Sequence, residues 1–277
     1  MTSGGATTKH VDDLIGPELN SNSPLHTPGY TWPFVNGPHQ WTPGTHKFFG
    51  WLAYDANADM DDAADTPEEF FGSNFKFDES RKTLTIPAKQ MTATTPQFDF
   101  MYSDIYTTEP INTPVPLEFK HLFSAFYITA LNRDEANTVK INEITLHGLD
   151  NEKSAMIDFG GTEPIVSYTP SGNSTQFAFT FSGEELGTTP KSLTGTFLIW
   201  PQSADDFVDA VLTIKYDYTS EEQTTPETKP IPLTSMTEWT AGVVNSINLV
   251  FDLEQITFYI RTLEQWNTEE KDIIVEM

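Results

Sequence analysis

Histidine is the residue best suited to acid–base chemistry near neutral pH, and His121 stands in the most apolar segment of the chain. A catalytic base or metal ligand needs a partner group, and the sequence places none beside His121. We therefore predict a structural histidine, mostly buried and hydrogen-bonded to a neighbouring backbone group, with no metal. The histidines of the N-terminal region are irregularly spaced and form no metal-binding signature. These are His10, His26, His39 and His46.

The common catalytic signatures are absent from the sequence. It offers no cysteine nucleophile, no serine in a Gly-x-Ser-x-Gly turn, no histidine pair at metalloprotease spacing and no phosphate-binding glycine loop. Adjacent acidic residues recur, but two acids make a glycosidase only across a sugar cleft. These pairs are Glu68/Glu69, Glu184/Glu185 and Glu221/Glu222. We predict no catalytic, cofactor-binding or metal-binding residue, no cofactor, and a protein that is not an enzyme.

One acidic segment has the alternation of a calcium loop. Asp55, Asn57, Asp59 and Asp61 place oxygen-bearing side chains at every second position. An EF-hand-type loop also requires glycine at its sixth position and a bidentate glutamate at its twelfth. Here the sixth position lacks glycine and the twelfth is Thr66. We therefore predict a mobile, solvated acidic loop rather than a calcium site.

Composition narrows the classes of partner and compartment. The 277 residues carry a net charge of −25, so the chain repels nucleic-acid phosphates and anionic membrane surfaces. It contains no cysteine, which is common among exported bacterial proteins. No apolar run approaches the roughly 18 residues of a membrane span. The first five residues lack the basic and apolar regions of a signal peptide. Two alternatives remain: either the protein stays inside the cell, or its export signal precedes this chain.

The pattern of short apolar segments and frequent turns predicts an all-β protein with two β-sandwich domains. We place the first domain at residues 1–160, with an irregular proline-rich arm at 1–46, and the second at 161–277. Gly160-Gly161 is the candidate linker. The strongest strand is a single long segment over 115–128, and the polar stretch 219–232 is predicted to be a hairpin loop. The alternation changes phase between Val139-Lys140-Ile141 and Ile144-Thr145-Leu146, as a β-bulge requires.

Four segments in a fixed order resemble the fimbrillins, the pilus subunits of Bacteroidota. Phe98–Ser103 precedes Val115–Ala125, which carries a similar valine-x-leucine-x-phenylalanine-x-histidine strand. Val139–Leu149 ends in leucine-x-glycine-leucine, and Leu193–Gln202 ends in proline-glutamine. The fourth segment runs from Trp239-Thr240-Ala241-Gly242 to Trp266 and is similar to the closing segment of the family.

The resemblance implies sandwiches of transthyretin-like topology in a fimbrial structural or adhesive subunit. Such subunits are exported as lipoproteins to the outer membrane. They polymerise with like or unlike fimbrial subunits by β-strand exchange. Host proteins or glycans are further candidate partners. Either terminus could supply the exchanged strand, the proline-rich arm or Ile273-Ile274-Val275. The alternative function is a surface glycan-binding lipoprotein of an outer-membrane uptake system, with exposed coplanar aromatic side chains lining a shallow groove.

Overall fold

A computed structural model of the chain confirms the all-β class. The backbone is described at residues 2–3, 6–7, 44–55, 70–95, 98–109, 115–172, 176–252, 255–263 and 270–275. Side chains are described within 44–51, 70–95, 98–109, 115–172 and 176–252. The predicted acidic loop after Asp55 and almost all of the proline-rich arm, with His10, His26 and His39, lie outside these ranges.

The strands are numbered β1 to β21 in chain order. The first thirteen are β1 Thr2–Ser3, β2 Ala6–Thr7, β3 His46–Phe48, β4 Trp51–Asp55, β5 Lys76–Asp78, β6 Thr83–Gln90, β7 Phe98–Ser103, β8 Tyr106–Thr108, β9 Phe119–His121, β10 Ser124–Asn132, β11 Thr138–His147, β12 Glu152–Asp158 and β13 Ile165–Pro170. The remaining eight are β14 Phe177–Glu185, β15 Lys191–Ser192, β16 Phe197–Ile199, β17 Val211–Ser220, β18 Gln223–Pro232, β19 Val244–Asp252, β20 Gln255–Leu263 and β21 Glu270–Val275. A short 3₁₀ helix, Ala204–Phe207, precedes β17.

Apart from the small β1-β2 pair, we assign the sheets to two groups by the aromatic side chains that pack between them. Phe49 stacks on Phe159 in the first group, and Phe126 contacts Phe177 in the second. The first group contains the sheets β13-β12-β6-β5, β4-β7-β9 and β3-β8. The second group contains the sheet β14-β11-β17-β18 and the sheet β10-β19-β20-β21, with β15 and β16 on the outer side of β10. Neighbouring strands are antiparallel except β10 and β19, which are parallel. The chain leaves the first group at β10, returns to it for β12 and β13, and leaves again at β14.

Because the chain passes between the two groups more than once, the predicted linker at Gly160-Gly161 does not separate them. Gly160-Gly161 lies in the turn between β12 and β13, which pair from Lys153↔Pro170 to Asp158↔Ile165. Strands from both sides of residue 160 also share the two sheets of the second group. Strand pairing therefore does not divide the chain at that point. Glycine and proline mark a tight turn as readily as a linker, and the sequence pattern alone does not separate the two.

The predicted long strand over 115–128 is also wrong in one respect. It is broken at Leu122 and Phe123, both fully buried, so that β9 pairs with β7 in the first group and β10 with β19 in the second. Apolar side chains on both faces made the break invisible in the sequence. The stretch predicted as a hairpin loop at 219–232 is mostly strand, because β18 pairs with β17 along its whole length. The predicted bulge is confirmed, with the register of β11 shifting between Ile141 and Glu143.

Aromatic side chains connect the cores of the two groups. Phe71, from the first group, lies 6.5 Å from Phe123 between ring centroids. The Phe123 ring in turn meets Trp200 edge-on at 4.8 Å. Such offset and edge-on contacts are favourable arrangements of aromatic rings. The core is therefore continuous across the junction of the two groups, which we call the seam.

Candidate functional site

Buried polar side chains lie both at the seam and inside the first group, where Asp99 pairs with His121. His121 on β9 is paired with Met101 on β7, which places its side chain diagonally across from Asp99. His121 Nδ1 lies 2.6 Å from Asp99 Oδ2, and the two side chains are 21% and 12% exposed. One partner of His121 is thus a carboxylate, which the sequence prediction did not include. A charged residue between Phe98 and Phe100 in an apolar strand was the sequence signal for this partner.

A histidine–carboxylate pair can hold or pass a proton. The hydroxyls of the buried residues Ser103 and Ser124 donate to backbone carbonyls. Ser124 Oγ donates to the Val243 carbonyl at 3.0 Å and accepts from Asn245 Nδ2 at 3.1 Å. Ser103 Oγ donates to its neighbour's carbonyl and accepts from the Gly50 N–H at 2.8 Å. We interpret the His121–Asp99 pair as a structural contact between β7 and β9.

A buried lysine joins the two groups directly. Lys153 on β12 is 4% exposed, and its ammonium donates to the Pro201 carbonyl at 2.8 Å and to Asp206 Oδ2 at 3.0 Å. The same carboxylate oxygen accepts from the backbone N–H of Ser203 at 2.7 Å and so caps the 3₁₀ helix. One carboxylate therefore fixes the helix and the strand of the opposite group together. Sequence analysis missed Lys153 because its neighbours Glu152 and Ser154 are polar, as on an exposed strand.

Further hydrogen bonds line the seam around the proline-glutamine segment. Trp200 Nε1 donates to the Lys89 carbonyl at 2.7 Å, and Gln202 Nε2 donates to the Asp150 carbonyl at 2.9 Å. Tyr168 Oη donates to the Leu122 carbonyl at 2.9 Å, and burial raises the pKa of this phenol, which keeps it protonated as a donor. Each residue of Trp200-Pro201-Gln202 thus contributes a bond at the seam.

An acidic pocket opens beside Lys153 and encloses about 200 Å³. Its lining is Gly148, Asp150, Gly172, Asp205, Asp206 and Asp209. Burial raises the pKa of the Asp150 carboxyl. Asp150 Oδ1 is buried without a hydrogen-bond partner among the described residues. Within the same ranges, no three His, Cys, Asp or Glu side chains are grouped closely enough to hold a metal ion.

The other residues considered from the sequence lie apart from the seam. Glu184 and Glu185 form ion pairs with Lys191 and Lys140. Glu221 and Glu222 form the turn between β17 and β18. His46 lies at the start of β3 opposite Thr108. Glu68 and Glu69 lie outside the described residues.

Two further observations concern glycan binding and membrane insertion. Where side chains are described, no Phe, Tyr or Trp is exposed, so this part of the chain carries no aromatic platform for a glycan. The arm residues Tyr30, Trp32 and Trp41 lie outside it. None of the described helical segments has the length and apolar character needed to cross a membrane.

One family model matches most of the chain. The model of the fimbrillin-like family matches residues 16–266. Among solved structures, the chain is similar to a fimbrial assembly protein from Parabacteroides distasonis, with 14% identity, a TM-score of 0.39, and coverage of 91% of this chain and 82% of that one. It is also similar to a candidate cell adhesion protein from Bacteroides ovatus, with 16% identity, a TM-score of 0.43, and coverage of 89% and 77%. No curated protein sequence matches the chain.

Proposed function

We propose that this chain, which belongs to the fimbrillin-like family, is a structural or adhesive subunit of a fimbria and not an enzyme. The observation that carries the proposal is the family match across residues 16–266, nearly the whole chain. The seam is compatible with it, because Lys153, Trp200 and Gln202 each form hydrogen bonds that connect separate parts of the chain. A subunit under load in a filament benefits from such a braced junction between its parts.

We further propose assembly by β-strand exchange with other fimbrial subunits. The physical requirement is a sheet edge with unpaired backbone groups and an extended segment to fill it. Among the described strands, β21 meets part of this requirement, since it ends the chain's last sheet and pairs only with β20. The proline-rich arm is the second candidate donor.

The test is polymer formation by the processed protein. We expect denaturant-resistant high-mass species from the full chain, and their loss when either residues 1–46 or residues 272–277 are removed. Near-UV circular dichroism checks that each shortened chain remains folded. If the full chain stays monomeric, the subunit proposal fails. If both shortened, folded chains assemble as well as the full chain, strand exchange through these termini fails.

We also propose export as a lipoprotein to the outer membrane, in a fimbria at the cell surface. The family match supports this proposal, and an experiment in the natural host tests it. Metabolic labelling with a clickable fatty acid should modify the protein from its natural gene. Protease treatment of intact cells should then degrade it. An unlabelled protein that resists protease in intact cells contradicts the proposal.

A further inference from the structure

The outer edge of β18 has an unusual sequence. Among the described strands, β18 is the last of its sheet and pairs with β17 alone, from Val211↔Pro232 to Ser220↔Gln223. Every residue of β18 except Ile231 is exposed. A ten-residue strand at a sheet edge normally presents a row of free N–H and C=O groups that another strand can join.

The positions of three prolines in this strand can be assigned from pairing alone. Pro226, Pro230 and Pro232 lie opposite Asp217, Thr213 and Val211. Opposed residues of an antiparallel pair alternate between those that exchange two backbone hydrogen bonds and those that exchange none. Proline has no N–H and cannot belong to an exchanging pair. The three prolines, an even number of residues apart, therefore direct their backbone groups away from β17 and along the free edge.

The free edge of β18 consequently offers few backbone N–H donors. Five residues direct their backbone groups outward, namely Thr224, Pro226, Thr228, Pro230 and Pro232. Only the two threonines offer an N–H, and the proline rings stand where an incoming strand would place its carbonyls. Glu227 and Lys229 are exposed on the face that carries buried Ile231. Charges at such positions oppose burial of that face by another chain.

The opposite edge of the same sheet is different. Following the alternation from β17 through β11, Ile144 and Phe179 form an exchanging pair, so Ala178 and Thr180 on β14 direct their backbone groups outward. Both residues retain their N–H and both are exposed. One edge of this sheet is therefore chemically able to accept a strand and the other is not.

We propose that β18 is a closed edge, whose alternating prolines prevent a second copy of this chain from pairing with it. Without the prolines, two copies could join antiparallel at this edge about a two-fold axis. The closed edge keeps this contact out of any assembly that the subunit makes. The inference depends on the strand pairing and the proline positions, and it holds whether or not the chain forms fimbriae.

The test opens the edge in the full chain with Pro226→Thr, Pro230→Thr and Pro232→Thr together. Threonine restores the N–H and suits a strand. Sedimentation velocity over a concentration series should show self-association at a protein concentration roughly tenfold or more below that of the unaltered chain. The matched control, Pro116→Thr with Pro190→Thr, changes exposed prolines outside the strands and should associate like the unaltered chain.

Association of the opened variant that equals that of the unaltered chain overturns the proposal, as does equal association of the opened variant and the control. The single variant Pro230→Thr guards against a folding defect in the triple variant. It restores one outward N–H and should give an intermediate increase. Near-UV circular dichroism identifies which variants are folded. Because each comparison is made against the unaltered chain, failure of fimbrial assembly leaves the result interpretable.

Discussion

The ammonium of Lys153 lies 3.0 Å from Asp206 Oδ2, and this ion pair joins a strand of the first group of sheets to the 3₁₀ helix of the second. The two side chains are 5% and 15% exposed. Charged side chains are rarely buried to this extent unless they are paired. The stability of the seam should therefore depend on this pair.

Lys153→Met keeps the apolar stem and removes the charge. The Asp206 carboxylate then loses a buried partner, and we expect the free energy of unfolding to fall by about 2–3 kcal/mol in chemical denaturation. The control is Lys120→Met, whose partner Asp104 lies 2.6 Å away but whose side chain is 54% exposed. That loss should be below about 1 kcal/mol. If the free energy of unfolding falls equally in the two variants, the buried pair contributes no more to stability than the exposed pair.

Gly148 and Asp209 both line the acidic pocket, and their backbones lie close together. Its φ is +85°, and an added Cβ would lie 2.1 Å from the Asp209 carbonyl oxygen. Gly148→Ala should therefore cost about 3 kcal/mol or more, from steric overlap added to backbone strain. Gly172→Ala is the matched control, with φ of +75° and nothing within 4 Å of the added Cβ. Its strain alone should cost about 1–2 kcal/mol. Thermal unfolding distinguishes the two, and similar losses would contradict the predicted contact.

The turn between β17 and β18 is strained by its sequence. Ser220 pairs with Gln223, and the two residues between them, Glu221 and Glu222, have φ of 47° and 67°. A two-residue turn with two positive φ angles favours asparagine followed by glycine. Glu221→Asn with Glu222→Gly should raise the free energy of unfolding by about 1 kcal/mol. Replacing both with glutamine removes the charges but not the strain, so a similar gain there would assign the effect to charge.

The pH dependence of stability tests the buried acid of the pocket. Burial raises the pKa of Asp150 above that of the unfolded chain. Its contribution to stability is therefore fully present below the unfolded pKa and is lost as pH rises through the folded pKa. Asp150→Asn should raise the melting temperature, relative to the unaltered chain, more at pH 7 than at pH 4.

Asp78 supplies a control of opposite sign. A hydrogen bond from the Ser80 hydroxyl holds the pKa of Asp78 below its usual value. Its contribution is present above the unfolded pKa and is lost as pH falls through the folded pKa. Asp78→Asn should therefore lower the melting temperature more at pH 7 than at pH 4. A shift of the same sign in both variants would contradict the assignment.

Local patterns in the sequence predicted local structure well. Period-two alternation identified the strand class, and a change of phase located the bulge near Ile141. The same patterns did not predict which strands would pair. Leu122 and Phe123 are apolar in a run of apolar residues, so nothing marked the point where the chain changes sheets. Three prolines in Gln223–Pro232 indicated a loop, because proline excludes an interior strand. Proline is compatible with an edge strand, however, and this segment forms one.

The seam illustrates the same limit. The apolar neighbours of Asp99 in the sequence indicate a buried acid, and the apolar segment around His121 indicates a buried histidine. Lys153 could not, because the partner that makes its burial tolerable lies 53 positions away in the chain. Long-range ion pairs of this kind become visible only when the topology has been established.

The parallel pairing of β10 with β19 has a consequence for synthesis. Ser124 and the Val243 carbonyl to which it bonds are 119 positions apart. At roughly 5–20 residues per second, β10 leaves the ribosome on the order of ten seconds before its central neighbour exists. During that interval a nine-residue strand with buried Ala125, Phe126 and Ile128 has no partner on one side. A nascent chain built this way needs protection from other chains until its last quarter has been made.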